Sequence, residues 1–307
     1  MPTRRLAGAA LLAAALGCVA ACGDGGGRAP AATAPRSSVA VPAPSAAPAS
    51  TGAATTGALP SPAHVVVVVF ENKDAEAVSP SDAPYLTGLA AQGAAFTDAH
   101  GVAHPSQPNY LALFSGSTQG VTDDSCPQSF SGPNLAGQLL AAGRTFTGYS
   151  EGLPAPGFTG CGAGEYARKH NPWVDFPALP ASVNQPLSAL PHDLARLPTI
   201  AFVVPDLCSD MHSCSVATGD AWARAHLAGY VAWARTHDGV LVVTFDEDEG
   251  TAANHIPTFL VGPMVRPEPS AQRIDHYDVL RTLEDMYGLP PLGSAAAAQP
   301  LTGIWTR

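Results

Sequence analysis

Five valines in a row, Val65–Val69, stand inside the run AHVVVVVF at residues 63–70. A β-branched stretch without polar alternation reads as a strand covered on both faces. Such a strand belongs in a sheet with helices packed on either side. The runs TIAFVVPD at 199–206 and GVLVVTF at 239–245 repeat the pattern. Shorter strand-like segments fall at 94–101, 144–150 and 256–263, and helix-like segments at 83–93, 107–116, 134–143, 220–237 and 276–288. The alternation predicts an α/β fold with a mostly parallel central sheet and helices on both faces.

Sheets of this kind bind ligands beyond the carboxyl ends of their strands. Glu71 and Asn72 follow the first apolar run, Asp206 ends the second, and Asp246, Glu247, Asp248 and Glu249 follow the third. Carboxylates meeting on one rim repel one another and raise one another's pKa values. A hard divalent cation with oxygen ligands relieves that repulsion, and Glu71, Asn72, Asp246 and Glu247 are the oxygen donors in place.

A nucleophile comes from HPSQPNY at 104–110. Ser106 stands where a helix opens, so backbone N–H groups and the positive end of the helix dipole suit a phosphate there. Metal coordination activates a serine hydroxyl, although the same position also suits a simple helix cap. In YARKHNPW at 166–173, Arg168, Lys169 and His170 are the cations that an acidic protein needs around phosphate. In DLCSDMHSC at 206–214, Asp210 and His212 share a tight loop, and His212 is a candidate general acid. His255 is a further candidate ligand or acid. His64 reads as packing at a strand start, His226 and His237 as surface residues, and Trp222 and Trp233 as a helix's core stripe.

Outside this domain, residues 1–22 read as an export signal: Arg4 and Arg5 precede a short apolar core that ends in V-A-A-C, a lipobox with Cys22 as the lipidated residue. Cys18 is a weaker candidate, and plain secretion the alternative to a cell-surface lipoprotein. Residues 23–60 are mostly Ala, Pro, Gly, Ser and Thr, too poor in large apolar groups to repay ordering, and read as a tether. Residues 61–307 form one domain. Its four cysteines, Cys126, Cys161, Cys208 and Cys214, predict disulfides in an exported chain. Nearest-neighbour pairing gives Cys126–Cys161 and Cys208–Cys214, with two other connectivities open. The formal charge of −10 argues against nucleic acid as a partner and against general adhesion to anionic lipid.

Taken in order, F-E-N-K, H-P-S-Q-P-N-Y, Y-A-R-K-H-N-P-W, D-M-H and F-D-E-D-E-G resemble the bacterial phosphoesterase family of acid phosphatases and phospholipases C, within the alkaline-phosphatase-like superfamily. The likeness runs over residues 62–306. It implies one divalent metal ion held by Glu71, Asn72, Ser106, Asp246 and Glu247, with Ser106 as nucleophile. His170 and Asn171 match a phosphate-contacting pair, and Lys169 and Asn109, from the same motifs, join the candidate substrate-binding set. Asp210 and His212 match a loop at the leaving group. The implied activity is a phosphomonoesterase working through a phosphoserine, on a phosphate ester such as a phosphoinositide or another lipid phosphate. A phospholipase C-type phosphodiesterase is the alternative, and a non-catalytic phosphate- or cation-binding lipoprotein the third reading. Asp248 departs from the pattern: many members carry His there.

Overall fold

The computed structural model describes residues 59–306. The signal, Cys22 and nearly all of the tether lie outside the described residues. In chain order the elements are β1 (His64–Phe70), α1 (Pro84–Ala90), β2 (Ala94–His100), α2 (Ser106–Ser115), α3 (Leu135–Ala141), β3 (Phe146–Ser150), the short pair β4 (Gly162–Ala163) and β5 (Tyr166–Ala167), β6 (Asn184–Pro186), β7 (Ile200–Val204), α4 (Val216–Ala234), β8 (Gly239–Phe245), β9 (Thr258–Val261), β10 (Ser270–Asp275) and α5 (His276–Tyr287). Single turns of 3₁₀ helix fill much of 168–196.

Eight strands make one sheet in the order β10-β2-β9-β8-β1-β7-β3-β6. It is parallel throughout except at β9, which runs antiparallel to both β2 and β8. The valine run lies at its centre, between β7 and β8, and Val65–Val69 are all buried. Alternate side chains of this strand feed opposite helix layers. Phe70 meets Trp222 of α4 at 5.9 Å. Phe202, paired with Val67 in the register and so on the other face, meets Phe114 of α2 at 6.0 Å. Helices therefore cover both faces, as the uninterrupted apolar strands require.

Two departures from the sequence reading have local causes. The strand β10 was not expected, because Ser270–Asp275 is a polar edge strand with only Ile274 buried. Helix α4 opens four residues earlier than the apolar pattern at 220, because Ser215 caps it by accepting from Thr218 N–H. The cysteines join as Cys126–Cys161 and Cys208–Cys214, with Cα atoms 5.8 and 4.7 Å apart. Among the described residues, no helix is long and apolar enough to cross a membrane.

Candidate active site

Strand register assembles the site. Phe70 lies opposite Phe245, so the residues that follow, Glu71 and Asp246, emerge side by side at the carboxyl edge. The junction is tied twice: Asp246 N–H donates to the Phe70 carbonyl at 3.0 Å, and Asn72 N–H donates to Asp246 Oδ1 at 3.0 Å. Asn72 turns there with φ +49°.

Ser106 opens α2 against this edge. Pro105 is the cap residue, and Ser106 makes no capping bond. Its buried hydroxyl instead donates toward Glu71 Oε2 at 3.0 Å and Glu247 Oε1 at 3.1 Å. Tyr110, one turn along the helix, donates to Glu71 Oε1. The four-residue spacing places both hydroxyls on one helix face.

His170 and Asp210 close the cluster from the other side. His170 is fully enclosed, with Nε2 at 3.2 Å from Glu71 Oε1 and Nδ1 at 3.3 Å from Asp210 Oδ2. Its ring stacks on Tyr110 at 5.0 Å. The Asp210 loop is tied to the end of β1 by Glu71 N–H, which donates to the Asp210 carbonyl at 2.9 Å. Asp210 Oδ1 accepts from His212 N–H at 2.8 Å. His212 is exposed at the surface beside His170, their rings 6.1 Å apart.

Burial sets the ionisation, and mutual charge adds to it. It raises Glu71 well above the usual carboxylate range, and the charges of Asp246 and Asp210 push it further. Asp246 is pushed up to about 7 by burial and the charge of Glu247. Asp210 is pushed up to about 8, burial leading. Burial, with the charges of Lys169 and His212, holds His170 well below the ordinary imidazole value, so it is a neutral donor.

These residues fit a hard cation. Asp246 Oδ2, Asp210 Oδ2 and His170 Nε2 are buried, and the atoms near them stand outside hydrogen-bond geometry, so none has a bonded partner. Ligand atoms of Glu71, His170 and Asp210 lie within 4.8 Å of one another. Carboxylates in such a place are stable as anions only with a positive ion among them.

The four acids of the D-E-D-E run separate. Asp246 and Glu247 turn inward. Asp248 braces its own loop, accepting from Gly250 and Thr251 N–H at 2.8 and 2.7 Å and from His255 N–H at 3.1 Å. Glu249 reaches out to Lys73 at 3.1 Å.

Two residues placed in the substrate set do other work here. Both groups of the Asn109 side chain are committed to backbone: Oδ1 accepts from Val102 and Ala103 N–H, and Nδ2 donates to the Ala103 carbonyl at 2.8 Å. Asn171 likewise accepts from Ser150 Oγ and donates to the Ala167 carbonyl. They shape the loops that carry Ser106 and His170. Asp206 caps its own loop through Cys208 and Ser209 N–H. His255 sits apart, against Glu76 and the Thr97 carbonyl. Arg168 is buried on Asp175 at 2.9 Å, away from the cluster.

Three contributors were missed. His104 bonds Glu247 Oε2 through Nδ1 and the Thr251 carbonyl through Nε2 at 3.1 Å. Burial opposes its protonation, but these acceptors outweigh it and raise its pKa. Tyr110 could have been found from its helical spacing to Ser106. Asp124 carried no signal: it comes from an irregular loop, where it accepts from Gln107 N–H at 3.0 Å and pairs with Lys169 at 2.6 Å. A cavity of about 620 Å³ under α4, lined by Leu153, Leu187, Leu194 and Leu227, contains none of these groups.

The chain belongs to the phosphoesterase family, whose model matches residues 76–290. It is a phosphoric ester hydrolase. It is 50% identical over 252 residues to the phosphatidylinositol-3-phosphatase of Mycobacterium tuberculosis, covering 81% of this chain and 84% of that protein. To an acid phosphatase of Aspergillus niger it is 33% identical over 213 residues, 62% of this chain and 51% of the fungal one. Among solved structures it is similar to a protein of the alkaline phosphatase superfamily from Vibrio parahaemolyticus, with a TM-score of 0.57 at 13% identity over 82% of this chain and 74% of that one. That likeness establishes the fold, an alkaline-phosphatase-like sheet.

Proposed function

We propose that the chain is an exported, metal-dependent phosphomonoesterase with Ser106 as nucleophile. The observation that carries the reading is the Ser106 hydroxyl, buried at a helix start and bonded to two carboxylates, Glu71 and Glu247. Glu71, Asn72, Ser106, Asp246 and Glu247 would hold a divalent ion, with His170 and Asp210 beside them. When bound, that ion polarises a phosphoryl oxygen and offsets the acids' charge. The protein's own groups do the rest. A carboxylate accepts the Ser106 proton as Oγ attacks phosphorus. The P–O bond to Ser106 forms while the ester P–O bond breaks. His212, or a water, protonates the leaving alkoxide. Water then attacks the phosphoserine, phosphate leaves, and Ser106 regains its proton.

A lipid phosphate is the substrate class we favour, supported by the half-identical relative named as a phosphatidylinositol-3-phosphatase. Export and a lipid anchor at Cys22 rest on the leader and its V-A-A-C sequence. The test is release of phosphate from p-nitrophenyl phosphate and from phosphatidylinositol 3-phosphate vesicles. Ser106→Ala is expected to lose at least about a thousandfold in turnover with its circular dichroism intact. A fully active Ser106→Ala protein overturns the reading. Release of diacylglycerol from phosphatidylcholine, without phosphate from either monoester, replaces it with the phosphodiesterase.

A further inference from the structure

We propose that Asp124 is a built-in competitor for the phosphate end of the active site. Its carboxylate occupies the donors that a substrate phosphoryl group takes, so it must be displaced when substrate binds. The inference rests on the phosphomonoesterase reading and adds to it a residue that sets substrate affinity.

The geometry is that of an anion already in place. Gln107 follows Ser106, and its N–H belongs to the first turn of the ten-residue helix α2. That N–H would face a phosphate attacked by Ser106. Here it donates to Asp124 Oδ1 at 3.0 Å. The other carboxylate oxygen accepts from Lys169 Nζ at 2.6 Å. One anion thus bridges a helix amide and an ammonium through two oxygens, the contacts expected of a phosphoryl group.

Lys169 is a cation of the catalytic pocket, not of a remote surface. It shares one turn of 3₁₀ helix with His170, whose ring stands against Glu71 and Asp210. A further carboxylate at the mouth of an acid-rich pocket works against a dianionic substrate. It is also placed to leave. Asp124 is about a third exposed and lies in an irregular loop between α2 and α3, tethered by Cys126–Cys161. Displacing it breaks one partly exposed ion pair and one hydrogen bond from the Gln107 N–H, and both donors are then free for substrate.

Competition of this kind reduces apparent affinity by the fraction of molecules with the donors free. If about one molecule in ten is free, substrate and product affinity each fall about tenfold. The decisive variant is Asp124→Asn, which keeps an acceptor for Gln107 N–H and removes the charge. Its KM for p-nitrophenyl phosphate and its inhibition constant for inorganic phosphate are both expected to fall by about tenfold. Inorganic phosphate should also raise the melting temperature of Asp124→Asn more than that of the unmodified chain, a readout independent of turnover. Asp124→Ser should shift all three in the same direction, and adding Lys169→Gln should cancel the gain.

An increase in KM and inhibition constant overturns the proposal, because Asp124 would then be holding Lys169 in position for substrate. Unchanged constants overturn it as well. If neither protein hydrolyses a monoester, the phosphomonoesterase reading fails, and the melting shift with phosphate still decides the role of Asp124.

Discussion

Two of the places where the described residues bury carboxylates behave differently. At the sheet edge, Glu71, Asp210 and Asp246 meet around Ser106. In α5, Glu284 is as fully enclosed as Glu71, and burial pushes its pKa up to about 7. Glu284 accepts from Leu292 N–H at 2.8 Å, and its other oxygen has no partner. Desolvation raises the pKa in both places. At Glu284 there is no convergence, so the neutral acid is the whole solution, and it pins the chain after α5. At the edge, the ends of β1 and β8 and the loop after β7 deliver acids to one helix start, the Ser106 hydroxyl bonds Glu71 and Glu247, and no single proton can satisfy the cluster. Burial marks neither site by itself; the meeting of separate strand ends does.

The largest expected contrast is catalytic. Asp246→Asn and Glu71→Gln should each lower kcat/KM by at least about a hundredfold, while Glu284→Gln stays within about twofold. Comparable losses at all three would erase the distinction. A smaller effect separates the two by ligand binding. After treatment with a chelator, adding Mg²⁺, Ca²⁺ or Mn²⁺ should raise the melting temperature of the unmodified chain and of Glu284→Gln, and leave Asp246→Asn unmoved. An ion at a hundred times its dissociation constant contributes about 2.7 kcal/mol, an amount calorimetry reads easily.

The smallest effect concerns Glu284 alone. Its folded pKa of about 7 lies above the ordinary value of 4.5, so folding favours the protonated acid. Above pH 7 the group is ionised in both states and the burial penalty is fully present. As pH falls from 7 toward 4.5 the penalty is relieved, because only the folded state takes up the proton. Gln imitates the neutral acid. Glu284→Gln should therefore melt higher than the unmodified chain at pH 8, by about 2–4 °C for each kcal/mol relieved, with the gap closing near pH 5. A gap that is constant with pH would assign the difference to packing.

The strands that build the edge were legible because burial on both faces leaves an unbroken apolar run. The rule that ligands gather at carboxyl ends then located Glu71, Asp246 and Glu247 without any contact information. The helix start marked Ser106 as a cap as much as a nucleophile, and only the family resemblance favoured the nucleophile; the cap position is Pro105. What could not be read was what side chains do after loops fold back. Asn109 and Asn171 share their motifs with Ser106 and His170, but their amides meet backbone groups that only the closed loop brings near. His170, read as a substrate contact, stands between Glu71 and Asp210, a position that comes from the 3₁₀ turns of 168–175 and not from any periodicity. Asp124 reaches the site from a segment without regular structure, and β10 hides its strand pattern at a polar edge.

The path of β1 has a practical consequence. The chain enters this strand at His64 and leaves it at Glu71, so seven residues, about 23 Å of extended backbone, separate the entry from the edge where Glu71 meets Ser106. A purification handle or immobilising surface joined ahead of Leu59 attaches at the pole remote from Ser106. Handles inserted in the turn after β8 would land on Asp246 and Glu247 themselves.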